Sequence, residues 1–342
     1  MAAVSQRFSI SRLIAALVVS AVVLAVALVL GAALGSESVS LSEAFTDGTP
    51  ASAILFSLRI PRVALAALVG AALAASGSTL QALMRNPLAD PFVLGVSGGS
   101  ALGATIALAL GVSSLAALPG ISAVSALALL GALGATLLVM TLGRLAGRGS
   151  PHTTLLAGVI FNAFALAAII FIKALVAPDK VGEVLFWLAG ALGYEKATTL
   201  FATGAVQLFA IGVMWILSGR LNLLTLGDED AASLGVDVQR TRTMLLFAAS
   251  LSVSAAVSLS GLVGFVGLLV PHLARLALGP DQRLLLPASA LLGGAFLVLA
   301  DLGARMLFRV FHTEPPVGVV TALLGGPAFL LLLVRRARVE QS

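Results

Sequence analysis

RIPRVALAALVGAALAASGSTLQALMRNPLADPFVLGVSGGSALGA, residues 59–104, decides the reading of this chain. Arg59 and Arg62 bracket Pro61, and an apolar run of small residues follows from Val63 to Leu83. The polar turn Arg85-Asn86-Pro87-Leu88-Ala89-Asp90-Pro91 comes next, with Pro87 and Pro91 excluding helix there. A glycine-rich apolar segment then begins. A membrane crossing takes about 20 apolar residues. The stretch therefore reads as one span, a fixed turn and the start of a second span.

The rest of the 342 residues agrees. The chain is 59% hydrophobic and 10% charged, with a mean hydropathy of +1.10. Soluble domains carry about 25% charged residues. So few charges cannot cover a water-facing surface, and lipid must cover most of this one. The apolar runs are long and continuous, which selects an all-α polytopic membrane protein over a β-barrel. The net charge of +5 does not signal nucleic acid, because the basic residues are scattered over short loops. There is no Cys, and His152, His272 and His312 lie too far apart in sequence to show metal-ligand spacing. No phosphate-binding GxxxxGK[ST] motif occurs.

Ten segments qualify as spans: 13–34, 62–83, 93–111, 118–142, 153–177, 198–217, 243–262, 264–279, 285–305 and 316–334. The first outruns the roughly 7–15 residues of a signal-peptide core and is expected to be retained. The boundary near 261–267 is blurred by Gly261, Gly264 and Gly267. With the N-terminus inside, thirteen of the twenty Lys and Arg fall on the inner side, among them Arg7, Arg85, Arg148, Arg240 and Arg242. The positive-inside rule then places both termini in the cytoplasm. One transmembrane domain covers 1–342.

Three loops exceed a tight turn. Loop 35–58, outside, is expected to hold a short amphipathic helix. Loop 178–197, also outside, carries Val184-Leu185-Phe186-Trp187-Leu188, an interfacial helix to which Trp187 and Tyr194 are suited. Loop 218–243, inside, is strongly charged. Asp228, Glu229 and Asp230 suit the start of a short helix that Gly235 would end, and Val236-Asp237-Val238 would begin a second. Two such helices make a docking surface.

The span interiors nearly lack ionisable side chains; Asp301 and Arg305 sit at the end of the ninth. Ion-coupled carriers place carboxylates or His at mid-membrane. Here energy for uphill movement would come from another subunit. Gly70, Ala71, Ala72, Ala74, Ala75, Ser76 and Gly77, and later Gly98, Gly99, Ser100 and Gly103, favour close helix packing.

Five stretches carry a resemblance: Arg59 to Arg62 with the small-residue segment, Gln81 to Ser100, Leu226 to Arg242, GFVGLLVPHLAR at 264–275, and Glu314 to Pro327. Together they resemble permease subunits of the ABC importers for iron–siderophore complexes, haem and cobalamin, which have the type II importer fold. The tandem Pro315-Pro316 is a small departure from that pattern, and Ser150-Pro151-His152-Thr153 matches the family's second constriction poorly.

The resemblance implies about ten transmembrane helices in the bacterial inner membrane, a homodimer, two ATP-binding cassette subunits beneath it and a periplasmic substrate-binding protein above. It implies that Arg59, Arg62 and Arg305 receive acidic residues of the binding protein, and that Asn86 and Leu88 narrow the cytoplasmic mouth. Gly227, Asp228, Glu229, Ala231, Leu234, Gly235 and Val236 would couple to the ATPase. The chain would hold no cofactor or metal itself, ATP and Mg being bound by the partner, and would have no catalytic site. The competing readings are a stand-alone secondary transporter or channel, disfavoured by the missing midplane charges, and an intramembrane enzyme. The latter would need paired carboxylates, a Ser–His pair or HExxH, and none is present.

Overall fold

The computed structural model describes residues 9–37, 41–46, 48–112, 116–118, 121–147 and 151–340. Arg7, Arg148 and Ser150 lie outside them. The helices in order are α1 Ile10–Ala33, α2 Leu41–Ala44, α3 Pro50–Ala53, α4 Ile60–Leu83, α5 Val96–Ala109, α6 Ala123–Gly147 and α7 Pro151–Leu175. Then follow α8 Pro178–Leu188, α9 Ala197–Ile216, α10 Ser218–Leu224, α11 Asp228–Ser233, α12 Val238–Ser260, α13 Val266–Leu278, α14 Gln282–Phe311 and α15 Val317–Glu340. A short antiparallel pair, Ala116–Leu118 with Ile121–Ser122, precedes α6.

Seven helical stretches are long and apolar enough to cross a membrane, and α5, α13 and the apolar part of α15 are shorter apolar helices. Together they account for the ten expected spans. The boundaries differ in instructive places. Pro50–Leu83 is one 34-residue helical stretch, with the π-helical turn Ile54–Arg59 joining α3 to α4. The expected outer loop 35–58 thus ends near Thr49, whose side chain caps α3 by accepting from Ser52 N at 3.1 Å. The blurred boundary near 261–267 is settled by backbone geometry. Gly261 adopts φ +64°, Phe265 φ +67°, and α13 begins at Val266.

The helices sort into a centre and a rim. α4, α12 and α14 bury 72–78% of their most apolar windows, whereas α1 and α7 bury only 17%. Val18, Val19 and Val22 of α1 and Ile160, Phe164 and Phe171 of α7 are large apolar side chains exposed on the rim of the isolated chain. Lipid tails are as apolar as leucine, so burying oil against oil supplies little drive between spans. Close backbone approach supplies it instead. A Cβ at Gly70 would run into the Gly293 carbonyl oxygen, and one at Gly77 into the carbonyl of Gly267. Only glycine allows α4 to lie this near α14 and α13.

Candidate functional site

α4 carries an arginine-rich polar cluster at each end. At its N-terminal end Asp301 of α14 is fully buried between two arginines. Arg62 donates to Asp301 Oδ1 from Nε at 3.0 Å and Nη2 at 2.8 Å, and Arg305 Nε donates to Oδ2 at 3.0 Å. Arg62 Nη2 also donates to Glu314, which lies between α14 and α15, and its guanidinium sits 6.0 Å from the Tyr194 ring centroid.

The remaining donors of this cluster go to α1. A helix ends with carbonyls that have no partner in the helix. Arg305 donates to the carbonyls of Gly31 and Leu34 at 2.9 and 3.2 Å, and Arg59 to those of Ala32 and Ala33 at 3.2 and 2.9 Å. Arg309 reaches the carbonyls of Gly35 and Ser36 at 2.8 and 3.1 Å. Cations here also face the negative end of the α1 dipole. These arginines bolt the end of α1 onto α4 and α14.

Arg59, Arg62 and Arg305, which the resemblance places at the binding-protein contact, are each only 5–6% exposed in the isolated chain. The reason is local. Asp301 lies one turn before Arg305 on α14 and in reach of Arg62, and a buried carboxylate draws both cations inward, while the carbonyls at the end of α1 hold Arg59.

At its other end α4 stops in a Schellman motif. The amides of Arg85 and Asn86 bond the carbonyls of Ala82 and Gln81 at 3.1 and 3.0 Å. Arg85 occupies the left-handed position at φ +49°, where glycine is usual. Asn86 Oδ1 then accepts from Leu88 N at 2.9 Å, and both Asn86 and the 44%-exposed Leu88 face outward. Asp90 caps the following 3-10 turn by accepting from Phe92 N at 2.8 Å, and burial pushes its carboxyl above the usual range.

The charged loop folds as α10 and α11. The expected helix over Asp228 onward is present as α11, with Gly227 at φ +142° before it and Gly235 at φ +83° after it. Gly235 N bonds Ala232 O and Val236 N bonds Ala231 O, both at 3.0 Å, a second Schellman motif. The expected second short helix is instead the first turn of α12, capped by Asp237 through Arg240 N at 2.9 Å. The other short helix is α10, upstream.

Ala231 and Val236 turn inward into the core, while Leu234 is exposed and Glu229 faces solvent. Leu226, absent from the sequence-based set, is exposed beside them. Two polar ties hold this loop to the bundle. Asp228 accepts from Arg242 Nη2 on both oxygens at 2.8 Å and from Arg85 Nη2 at 3.3 Å. Asn222 of α10 donates to Asp281 at 2.7 Å and accepts from Gln282 N at 2.9 Å. Burial pushes the Asp281 carboxyl up, but the bonds from Arg283 and Asn222 outweigh it and hold it below the usual range.

On the α8 side, Val184 is buried while Leu185, Phe186 and Tyr194 are exposed, as an interfacial helix requires. A cavity of about 520 Å³ lies between α8 and the ends of α5 and α12, lined by Leu108, Phe186, Trp187 and Leu259. His312 ends α14 in a left-handed conformation, and no group of His, Asp and Glu among the described residues could hold a metal.

Comparison with known proteins gives these sites a context. The cobalamin import system permease protein BtuC of Halobacterium salinarum is 43% identical over 84% of this chain and 75% of its own length. The hemin transport system permease protein HmuU of Yersinia pestis is 40% identical over 83% of this chain and 84% of its own. Among solved structures, an inward-facing metal-chelate type ABC transporter superposes with a TM-score of 0.82 at 30% identity. That match covers 93% of this chain and 98% of the other. The profile of the FecCD transport family matches residues 14–335, and the chain belongs to that family of ABC transporter permeases.

Proposed function

We propose that this chain is the membrane subunit of an ATP-driven importer that moves an iron–siderophore, cobalamin or haem across the bacterial inner membrane. It works as a homodimer by alternating access, with both termini in the cytoplasm and the charged loop on the ATPase. The observation that supports this best is the loop itself. α11 ends in the Gly235 Schellman turn and is tied to the bundle through Asp228, yet Glu229 on it and Leu226 and Leu234 at its two flanks face solvent. Exposed leucines beside acids at a tied helix suit a cytoplasmic protein partner. ATP hydrolysis, with its Mg, belongs to that partner. Asn86 and Leu88 line the cytoplasmic gate.

Arg59, Arg62 and Arg305 mark the periplasmic face where the binding protein docks. Their burial means that acidic residues of a partner reach them only where the cluster is accessible, at Arg62 beside Glu314, whose side chain is 33% exposed. Planar guanidinium forks give such a contact register.

Reconstitution tests the reading. In proteoliposomes with the ATPase and binding protein, uptake should require ATP and survive collapse of ion gradients. Uptake driven by an ion gradient without ATP would establish a secondary carrier instead.

A further inference from the structure

The tie at the inner end of α4 has a role that docking does not explain. Asp228 is the first residue of α11 and carries a half-exposed side chain, so it could have faced a partner. Instead both its oxygens point back into the subunit. One cation is Arg242, at the start of the second turn of α12, with 6% of its side chain exposed. The other is Arg85, directly before Asn86 and Leu88.

Arg85 is an odd residue for its place. The Schellman end of α4 needs a left-handed residue, and glycine adopts that conformation without strain. A strained side chain is kept where its reach matters. Here it reaches Asp228, 143 residues along the chain.

We propose that Asp228 is a positioning residue for transport. It binds α11 to the gate turn through Arg85 and to α12 through Arg242, so that displacement of α11 by the ATPase moves Asn86, Leu88 and the end of α4 with it. α4 is a suitable lever. It is packed on α14 at Gly70 and Gly293, and Ser78 donates to Gln282 of α14 at 2.8 Å. Gln81 donates to the carbonyls of Gly267 and Leu268 and accepts from Arg275 at 3.0 Å. Asn222 ties α10 to the start of the same α14. Loop motion therefore enters α4 and α14 together, at their shared end.

The inference rests on the loop being the ATPase contact, and the test separates the two. Arg85→Gly keeps the left-handed turn while removing the tie. In proteoliposomes it should retain thermal stability and ATPase association. Substrate moved per ATP should fall about three- to fivefold, the scale of a half-exposed ion pair. Asp228→Asn should show the same fall.

The chain has no Cys, so an Arg85→Cys/Asp228→Cys pair places its only two thiols at the joint. A bis-maleimide with the reach of an arginine side chain, each end adding to one thiol, should restore the coupling that the double variant loses. Unchanged substrate per ATP in Arg85→Gly overturns the proposal. So does loss of ATPase association in Asp228→Asn, which would make Asp228 part of the docking surface and leave the coupling reading standing. Failure of the wild-type chain to bind any ATPase would instead remove that underlying reading.

Discussion

The two ends of α4 use the same three-residue chemistry in opposite surroundings. At its N-terminal end, proposed to face outward, Arg62–Asp301–Arg305 is dry, with Asp301 fully buried. At its C-terminal end, proposed to face inward, Arg85–Asp228–Arg242 has a wet centre, with 43% of the Asp228 side chain exposed. Asp301 stands within a 30-residue helix, Asp228 at the tip of a six-residue one. A dry triad cannot exchange partners without stranding a charge. A wet pair can, because water takes over at little cost. The outer triad suits a fixed weld and the inner triad a joint.

Removing each carboxylate tests that contrast most strongly. Asp301→Ala strands two buried guanidiniums and should cost about 3–5 kcal/mol. Thermal unfolding of the detergent-solubilised protein should show a large drop in midpoint, with the end of α1 detached. Asp228→Ala leaves Arg85 to water but takes the carboxylate from the largely buried Arg242, so the same measurement should show a smaller loss, about 2 kcal/mol, while transport falls. Equal losses would erase the difference between weld and joint.

The next effect belongs to the surface beyond the joint. Leu234→Asp puts a charge on an exposed apolar contact without touching the ties of Asp228. Its association with the ATPase should weaken by about 2 kcal/mol, the scale of an interface hot spot. A pull-down against increasing ATPase concentration reads this directly. If affinity holds and only coupling changes, Leu234 acts within the subunit, as Asp228 does.

The contrast explains what the sequence made legible. Runs of apolar residues gave ten spans because the bilayer imposes a length on every crossing. Gly235 gave the end of α11 because a left-handed turn favours one residue type. Partners were not legible. Arg62 and Asp301 are 239 positions apart, and no periodicity links them. An arginine at a span end reads as exposed when its partners are carried by another segment, as Asp301 is for Arg62 and the carbonyls at the end of α1 are for Arg59 and Arg305. Arg85 did leave a trace, since its carbonyl precedes Asn86-Pro87 at a helix end where glycine is expected. The π-helical join at Ile54–Arg59 left none, because its residues are ordinary helix formers.

The smallest effect asks whether the outer cluster contains one labile member. Glu314 shares Arg62 with Asp301, but its side chain is 33% exposed where that of Asp301 is wholly covered. An incoming carboxylate can displace Glu314 and cannot displace Asp301. If Glu314 holds Arg62 with about 1 kcal/mol, typical of a partly exposed pair, the docking-competent fraction is about one fifth, and apparent affinity falls by that factor. Glu314→Gln should therefore tighten binding-protein association about fivefold and leave the unfolding midpoint nearly unchanged, since Arg62 keeps Asp301. Titration of the binding protein at low and high salt measures this, and the gain should shrink as salt screens the competing charges. An unchanged affinity would take Arg62 out of the docking surface and leave the outer triad purely a weld. A weakened affinity would make Glu314 itself a docking residue, turned toward the partner rather than guarding against it.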